Sequence, residues 1–132
     1  MTGKFRSKFE SKVNDILSET SLNFTYEETT VTLMDAFDFE QDSYQKWGKK
    51  YKNVKRVRAM TYTPDFVVED KYIIEVKGFR TPSFNIKWKL FKNYIIENEL
   101  DWHIYLVHSQ KQLREVIERI EELVKTENNE TI

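Results

Sequence analysis

Apolar residues recur over the first twenty positions at helical spacing. Phe5, Phe9, Val13, Ile16 and Leu17 fall on one face, which predicts a first helix from about Phe5 to Glu19. The period then changes. NFTYEETTVTLM (Asn23 to Met34) is rich in β-branched and aromatic residues and predicts a strand. The following DAFDFEQDSYQKWGKKYKN reads as a polar connection. VKRVRAMTY (Val54 to Tyr62) alternates apolar with basic over its first five residues, as a half-exposed strand does. Pro64 cannot donate to a β-ladder and marks a strand start, an edge or a bulge. DFVVE and KYIIEVKG predict two short strands joined at Glu69-Asp70-Lys71 as a hairpin, closed by Gly78. Thr81, Pro82 and Ser83 supply a turn and an N-cap for a second helix, striped by Phe84, Trp88, Phe91 and Ile95. DWHIYLVHS is nearly continuous in apolar residues, the pattern of a strand buried on both faces. A last helix is predicted from about Gln110 to Lys125, with Leu113, Ile117, Ile120 and Val124 inward.

These elements run in the order α-β-β-β-β-α-β-α. The strand Trp102 to His108 follows a helical crossover, so it is expected to lie parallel to a neighbour, whereas the hairpin strands are antiparallel. The fold class is α/β with an α+β-like character: a mixed sheet carrying an antiparallel hairpin, flanked by helices. A single domain is expected over residues 1–126, with 127–132 as a frayed tail.

Composition narrows the chemistry. At 132 residues, with 39% hydrophobic and 14% aromatic content, the chain can bury a core in spite of 33% charged residues. It has no cysteine, which excludes disulfides, a thiolate nucleophile and zinc–sulfur sites. The N-terminal stretch MTGKFRSKFE has no apolar signal core, and no apolar run approaches the roughly 18 residues that span a bilayer. A cytoplasmic protein without a membrane partner is expected, in the host cytoplasm if phage-encoded. Only Gly3, Gly48 and Gly78 are present, so there is no glycine-rich phosphate loop and no nucleotide cofactor is expected. His103 and His108, five apart on a strand, point to opposite faces and do not form a metal pair.

The net charge of −1 conceals a strong asymmetry. Residues 1–40 carry 4 basic and 8 acidic side chains, residues 41–92 carry 13 and 5, and residues 93–132 carry 4 and 9. A basic middle third between acidic flanks is the footprint of a polyanion partner, DNA being the expected one; a cluster of solvated lysines is the alternative. KWGKKYKNVKRVR (Lys46 to Arg58) holds seven basic residues and no acid. Lys49, Lys50, Lys52, Lys55, Arg56 and Arg58 are therefore candidate phosphate contacts, as are Arg80 and Lys87 beyond the hairpin.

The same basic third contains YTPDFVVEDKYIIEVKGF, in which Asp65, Glu75 and Lys77 interrupt otherwise apolar strands. Glu75 and Lys77 are two apart and share a face. With the turn centred on Asp70, Asp65 lies five residues before it and Glu75 five after, which sets the two acids opposite each other. Two such carboxylates can share a hard cation such as magnesium, and Lys77 beside them can orient a water. A buried ion pair between Lys77 and the acids is the alternative.

Pro64-Asp65 followed by Glu75-Val76-Lys77 resembles the PD-(D/E)xK nuclease superfamily. RSKFESKV (Arg6 to Val13), FTYEE (Phe24 to Glu28), YTPDF and IEVKG follow the layout of the phage endonuclease I family of Holliday junction-resolving enzymes, over about the first 80 residues. TYTPDFVV…IIEVKGFRTPSFNIKWKLF also resembles a family of small phage and prophage proteins. The resemblance implies a restriction-endonuclease-like core. It also implies Mg2+ or Mn2+ held by Asp65, Glu75, the Val76 carbonyl and a helix acid aligning with Glu10, with Lys77 assisting hydrolysis to 5′-phosphate and 3′-hydroxyl ends. Branched DNA and a homodimer follow from the same likeness. Glu10 falls about 20° from Leu17 at 100° per residue, on the margin of the apolar face, a position compatible with that role. The rival functions are a nuclease for ordinary duplex or single-stranded DNA, of degradative, restriction-like or transposon-end type, and a non-catalytic DNA-binding or assembly factor on the same fold.

Overall fold

The computed structural model describes residues 5–47, 50–53, 55–77 and 80–130. Helix α1 (Lys8–Ser18) starts three residues later than the apolar pattern predicts, because Ser7 caps it: its Oγ accepts from the Glu10 N–H at 3.1 Å. The stretch from Asn23 to Met34 divides into β1 (Phe24–Tyr26) and β2 (Val31–Met34). The break is at Glu27, whose φ of 52° turns the chain out of the ladder. Two short strands, β3 (Phe37–Asp38) and β4 (Tyr44–Trp47), and then β5 (Lys50–Asn53), occupy the segment expected to be a polar connection. The basic strand is split into β6 (Arg56–Val57) and β7 (Met60–Tyr62). Val54, Gly78 and Phe79, boundary residues in the sequence reading, lie outside the described residues.

The predicted hairpin is present as β8 (Phe66–Val68) and β9 (Tyr72–Val76), paired Phe66 to Ile74 and Val68 to Tyr72. Glu69 and Asp70 take φ of 50° and 61°, the mirror-image turn that suits the twist of a hairpin, and the Lys71 N–H donates to the Val68 carbonyl at 3.2 Å. Helix α2 (Pro82–Glu97) has the expected cap, with Thr81 Oγ1 accepting from the Phe84 N–H at 3.1 Å and Pro82 opening the first turn. It is followed by β10 (His103–Val107) and α3 (Gln110–Glu130).

The main sheet has the order β1-β8-β9-β10, antiparallel except for the parallel β9–β10 pair. The fold is thus mixed, as predicted, with two corrections beyond the number of strands. Strand β10 is an edge strand rather than one buried on both faces: of its five residues only Val107 is buried. Helix α3 continues to Glu130 instead of fraying after Lys125, held in part by Glu127, which pairs with Lys71.

The wholly buried β9 divides the core. Tyr72, Ile74 and Val76 face a cluster with Val13 and Leu17 of α1 and Leu113, Ile117 and Ile120 of α3. Ile73 faces the other way, into Val31, Tyr62 and the α2 residues Phe84, Phe91 and Ile95. By strand alternation Glu75 and Lys77 belong to the α2 side. The remaining strands pair β2 with β7, β3 with β6 and β4 with β5, all antiparallel and nested. They make three successive two-stranded segments, together called the ribbon, rooted at Val31 and Tyr62. Among the described residues no helix is long and apolar enough to cross a membrane.

Candidate metal centre and its cleft

The residues singled out in the hairpin converge at one end of the main sheet. Asp65 follows buried Pro64 and is itself 4% exposed. Its Oδ2 accepts from the Val76 N–H at 2.8 Å, and its own N–H donates to Glu75 Oε1 at 3.3 Å. The turn-centred register that set Asp65 opposite Glu75 is therefore the one adopted. Glu75, 3% exposed, receives the Tyr62 hydroxyl on Oε1 at 2.5 Å and faces Lys77 Nζ from Oε2 at 3.3 Å. Lys77 is steadied further by the Phe84 ring, with Nζ 4.5 Å from its centroid. Its backbone is pinned from both sides: Lys77 N–H donates to Val107 O at 3.0 Å, and His108 Nδ1 lies 2.8 Å from Lys77 O.

Glu10 reaches this end of the sheet from α1. It is 6% exposed, and its Oε2 accepts from the Tyr26 hydroxyl at 2.6 Å. Glu27, which the sequence reading did not single out, joins it. Carboxylate oxygens of Glu10, Glu27 and Asp65 lie within 4.8 Å of one another. The left-handed turn at Glu27 brings it there, and its N–H donates to Asp65 O at 2.9 Å. Its Oε1 lies 2.7 Å from an Arg6 guanidinium nitrogen, an ion pair by distance in which no N–H is aligned on the oxygen. Glu75 is not part of this triple; its oxygens are turned to Tyr62, the Asp65 N–H and Lys77. Val76 enters the site through its N–H.

The electrostatics follow from this crowding. Burial, then the charge of Glu75, pushes the Asp65 carboxyl up to about 7, against the pull of the Val76 N–H and Lys77. Burial likewise raises Glu75, opposed first by the Tyr62 hydroxyl and then by Lys77. Tyr62 and Tyr26 are both raised, by burial first and then by the carboxylates they donate to, so each stays a proton donor. Four carboxylates thus meet two cations, Lys77 and Arg6, which leaves a deficit of positive charge around the buried, upshifted Asp65. An all-oxygen donor set with that deficit fits a hard divalent ion such as magnesium or manganese. It does not fit a soft one.

A cleft of about 340 Å³ opens beside Glu75 and Lys77. Arg6, Tyr62, Ser83 and Lys87 line it with them. Of the other predicted phosphate contacts, Arg80 is exposed but does not line the cleft. Lys55 and Arg56 are on the ribbon, 3.2 Å from Glu40 and Asp38 respectively, and Arg58 is exposed there. Lys49 and the side chains of Lys50 and Lys52 lie outside what is described.

Residues 2–112 match the family described as "Protein of unknown function (DUF1064)". The chain belongs to that family. The DUF1064 match takes in α1, the sheet, the ribbon and α2, and so every residue of the acidic cluster and cleft; it ends in the first turn of α3. No curated protein and no solved structure matches the chain.

Proposed function

We propose that the protein is a metal-dependent DNA endonuclease of the PD-(D/E)xK kind, with a restriction-endonuclease-like core, acting as a homodimer on branched DNA in the cytoplasm. The observation that carries the reading is the burial of Asp65 and Glu75 across one hairpin, with Lys77 on the same face and Glu10 closing in from α1. Burying that many acids costs stability unless a cation joins them, so a purely structural role accounts poorly for the arrangement. Branched DNA and the dimer rest on the endonuclease I likeness alone.

In this reading Asp65, Glu75 and Glu10 would hold magnesium or manganese, with Glu27 as a fourth carboxylate beside them. Such an ion, when bound, polarises a phosphoryl oxygen and offsets charge developing in the transition state. Lys77, fixed by Phe84 and by the bonds to its backbone, orients the attacking water and lends its charge to the phosphorus centre. The Tyr62 hydroxyl holds Glu75 through Oε1, and Oε2 faces Lys77. Arg6 and Lys87 bind phosphate oxygens in the cleft, and hydrolysis leaves 5′-phosphate and 3′-hydroxyl ends.

The test is cleavage of a labelled four-way junction, matched linear duplex and single strand, with Mg2+ or Mn2+, by the wild type and Glu75→Gln. Symmetric cuts near the branch point by the wild type alone are expected, with Glu75→Gln slower by at least about a hundredfold yet still binding. Equal cutting of linear DNA keeps the nuclease and removes the junction preference. Absence of cutting on all three substrates refutes the enzyme.

A further inference from the structure

The nested strand pairs between Val31 and Tyr62 are a structural feature that the catalytic reading leaves unused. A two-stranded ribbon by itself buries little, and is marginal in water unless something covers it. Among the residues whose burial is described, the root is buried and several apolar side chains beyond it are open to solvent. Val31 and Tyr62 sit in the α2-side core, whereas Met34, Phe37 and Phe39 are 38%, 44% and 38% exposed. Among the described residues the ribbon pairs with no strand of the main sheet.

Its charge is divided by strand. The outgoing half, residues 31–47, has four acids and one basic residue; the returning half, residues 50–62, has five basic residues and no acid. Lys55 and Arg56 reach across to Glu40 and Asp38, but these pairs are solvent-exposed, with side chains from 47% to 71% accessible. Exposed pairs of this kind are worth little, so a phosphate can take their place. The returning half also leads straight into the site. Thr61, Tyr62 and Thr63 line the cleft, and Asp65 follows.

We infer that this ribbon is a DNA-gripping arm that lies in the major groove of the duplex flanking the phosphate in the cleft. The inference rests on the proposed function for its choice of DNA. The major groove of B-form DNA, about 12 Å wide, admits a two-stranded ribbon, and the minor groove, about 6 Å wide, does not without deformation. Lys55, Arg56 and Arg58 of the returning strand meet the phosphates of one wall of the groove, Lys55 and Arg56 exchanging Glu40 and Asp38 for them. At about 3.3 Å per residue the outgoing half reaches at most about 56 Å, enough to follow the groove for a helical turn of about 34 Å. A-form duplex RNA, whose major groove is deep and narrow, excludes the arm.

Two full-length variants test this. In one, Lys55, Arg56 and Arg58 are all changed to glutamine, which leaves the root intact. In the other, residues 35–59 are replaced by Asn-Gly, which closes a hairpin at the paired Met34 and Met60. Duplex binding is read by fluorescence anisotropy in EDTA across a salt series, and contact with guanine N7 by dimethyl sulfate protection. The triple glutamine variant is expected to bind duplex DNA about 10–100-fold more weakly, with a salt slope smaller by about 2–3 for the three lost phosphate contacts. The wild type is expected to protect guanine N7 and to bind duplex RNA at least about tenfold more weakly than DNA. Equal affinity of wild type and both variants, or no duplex binding by any of them, overturns the arm. Protection confined to adenine N3 in the minor groove overturns the groove assignment. If the ribbon variants turn a dimer into a monomer with affinity per subunit unchanged, the ribbon belongs to a second copy instead. Since binding is read without divalent metal, a failed cleavage assay leaves these outcomes readable, and a failed arm leaves cleavage unaffected.

Discussion

Asp65 holds its proton to about pH 7 in the fold, against an ordinary value of 3.8, and the cause is burial beside Glu75. The direction of the stability effect follows from proton linkage. Below 3.8 the folded and unfolded chains are both protonated at this residue, and the shift contributes nothing. Between 3.8 and about 7 the folded state binds the proton and the unfolded state does not, so stability falls as pH rises through that window and stays low above it. Asp65→Asn removes the penalty while keeping an acceptor for the Val76 N–H. Its amide needs a new hydrogen-bond partner, which limits the gain to about 1–3 kcal/mol. Urea unfolding without metal is expected to show that gain at pH 8 and none at pH 4. A destabilised variant at pH 8 would mean that Asp65 is already neutralised by its neighbours. The juxtaposition itself was legible in the sequence, because a turn centred on Asp70 dictates that residues five before and five after it meet. Glu27 was not legible. Read as one strand from Asn23 to Met34, it alternates to the face opposite Tyr26, and nothing in its neighbours announces the left-handed φ that swings it toward Asp65.

Among the elements, the hairpin and α2 were legible for the same reason: each carries its own local chemistry, a turn pair in one case and Thr81-Pro82 in the other. The ribbon was not. Residues 35–53 lack the apolar–polar alternation that marks a strand with one buried face, and Phe37 and Phe39 are open to solvent. Its remaining signal is cross-strand charge, such as Asp38 with Arg56, which is visible only once the pairing is known. The hairpin turn carries a cost that a substitution can expose. Glu69 earns its left-handed conformation, with Oε2 accepting from the Asn23 N–H at 2.7 Å and its own N–H donating to Asn23 O. Asp70, at φ 61°, is exposed and no side-chain bond holds it there. Asp70→Gly should therefore stabilise the protein by about 0.5–1 kcal/mol, the relief of the left-handed penalty less the entropy of a more flexible unfolded chain. Thermal unfolding checks this, and Glu69→Gly in the same assay should lower stability.

Across the whole molecule, three layers meet at one end of the sheet: α1 brings Glu10, the hairpin brings Asp65 and Glu75, and the end of β1 brings Glu27. None of these acids is held near its neighbours by a short-range contact alone; the packing of α1 and α2 on opposite faces of β9 forces them together. The fold therefore stores electrostatic repulsion that a divalent ion would relieve, and the ion should stabilise the folded state over the unfolded one. Mg2+ or Mn2+ at about a hundredfold excess over its dissociation constant should add about 2.7 kcal/mol, on the order of 5–10 °C in Tm. The increment should itself depend on pH. A site that must first release the Asp65 proton binds the ion weakly below pH 7, so the metal-induced shift in Tm should be small at pH 5.5, grow through pH 7 and then level off. Glu10→Gln should reduce the shift without abolishing folding, because glutamine still accepts from the Tyr26 hydroxyl. Glu27→Gln separates the acid triple from the Asp65–Glu75 pair as the seat of the ion: a loss of the shift equal to that in Glu10→Gln assigns it to the triple, and an unchanged shift assigns it to the pair. A Tm that ignores both metals from pH 5.5 to 8 would show that the carboxylates are neutralised by protons and by Lys77 and Arg6, and would remove the metal from the mechanism.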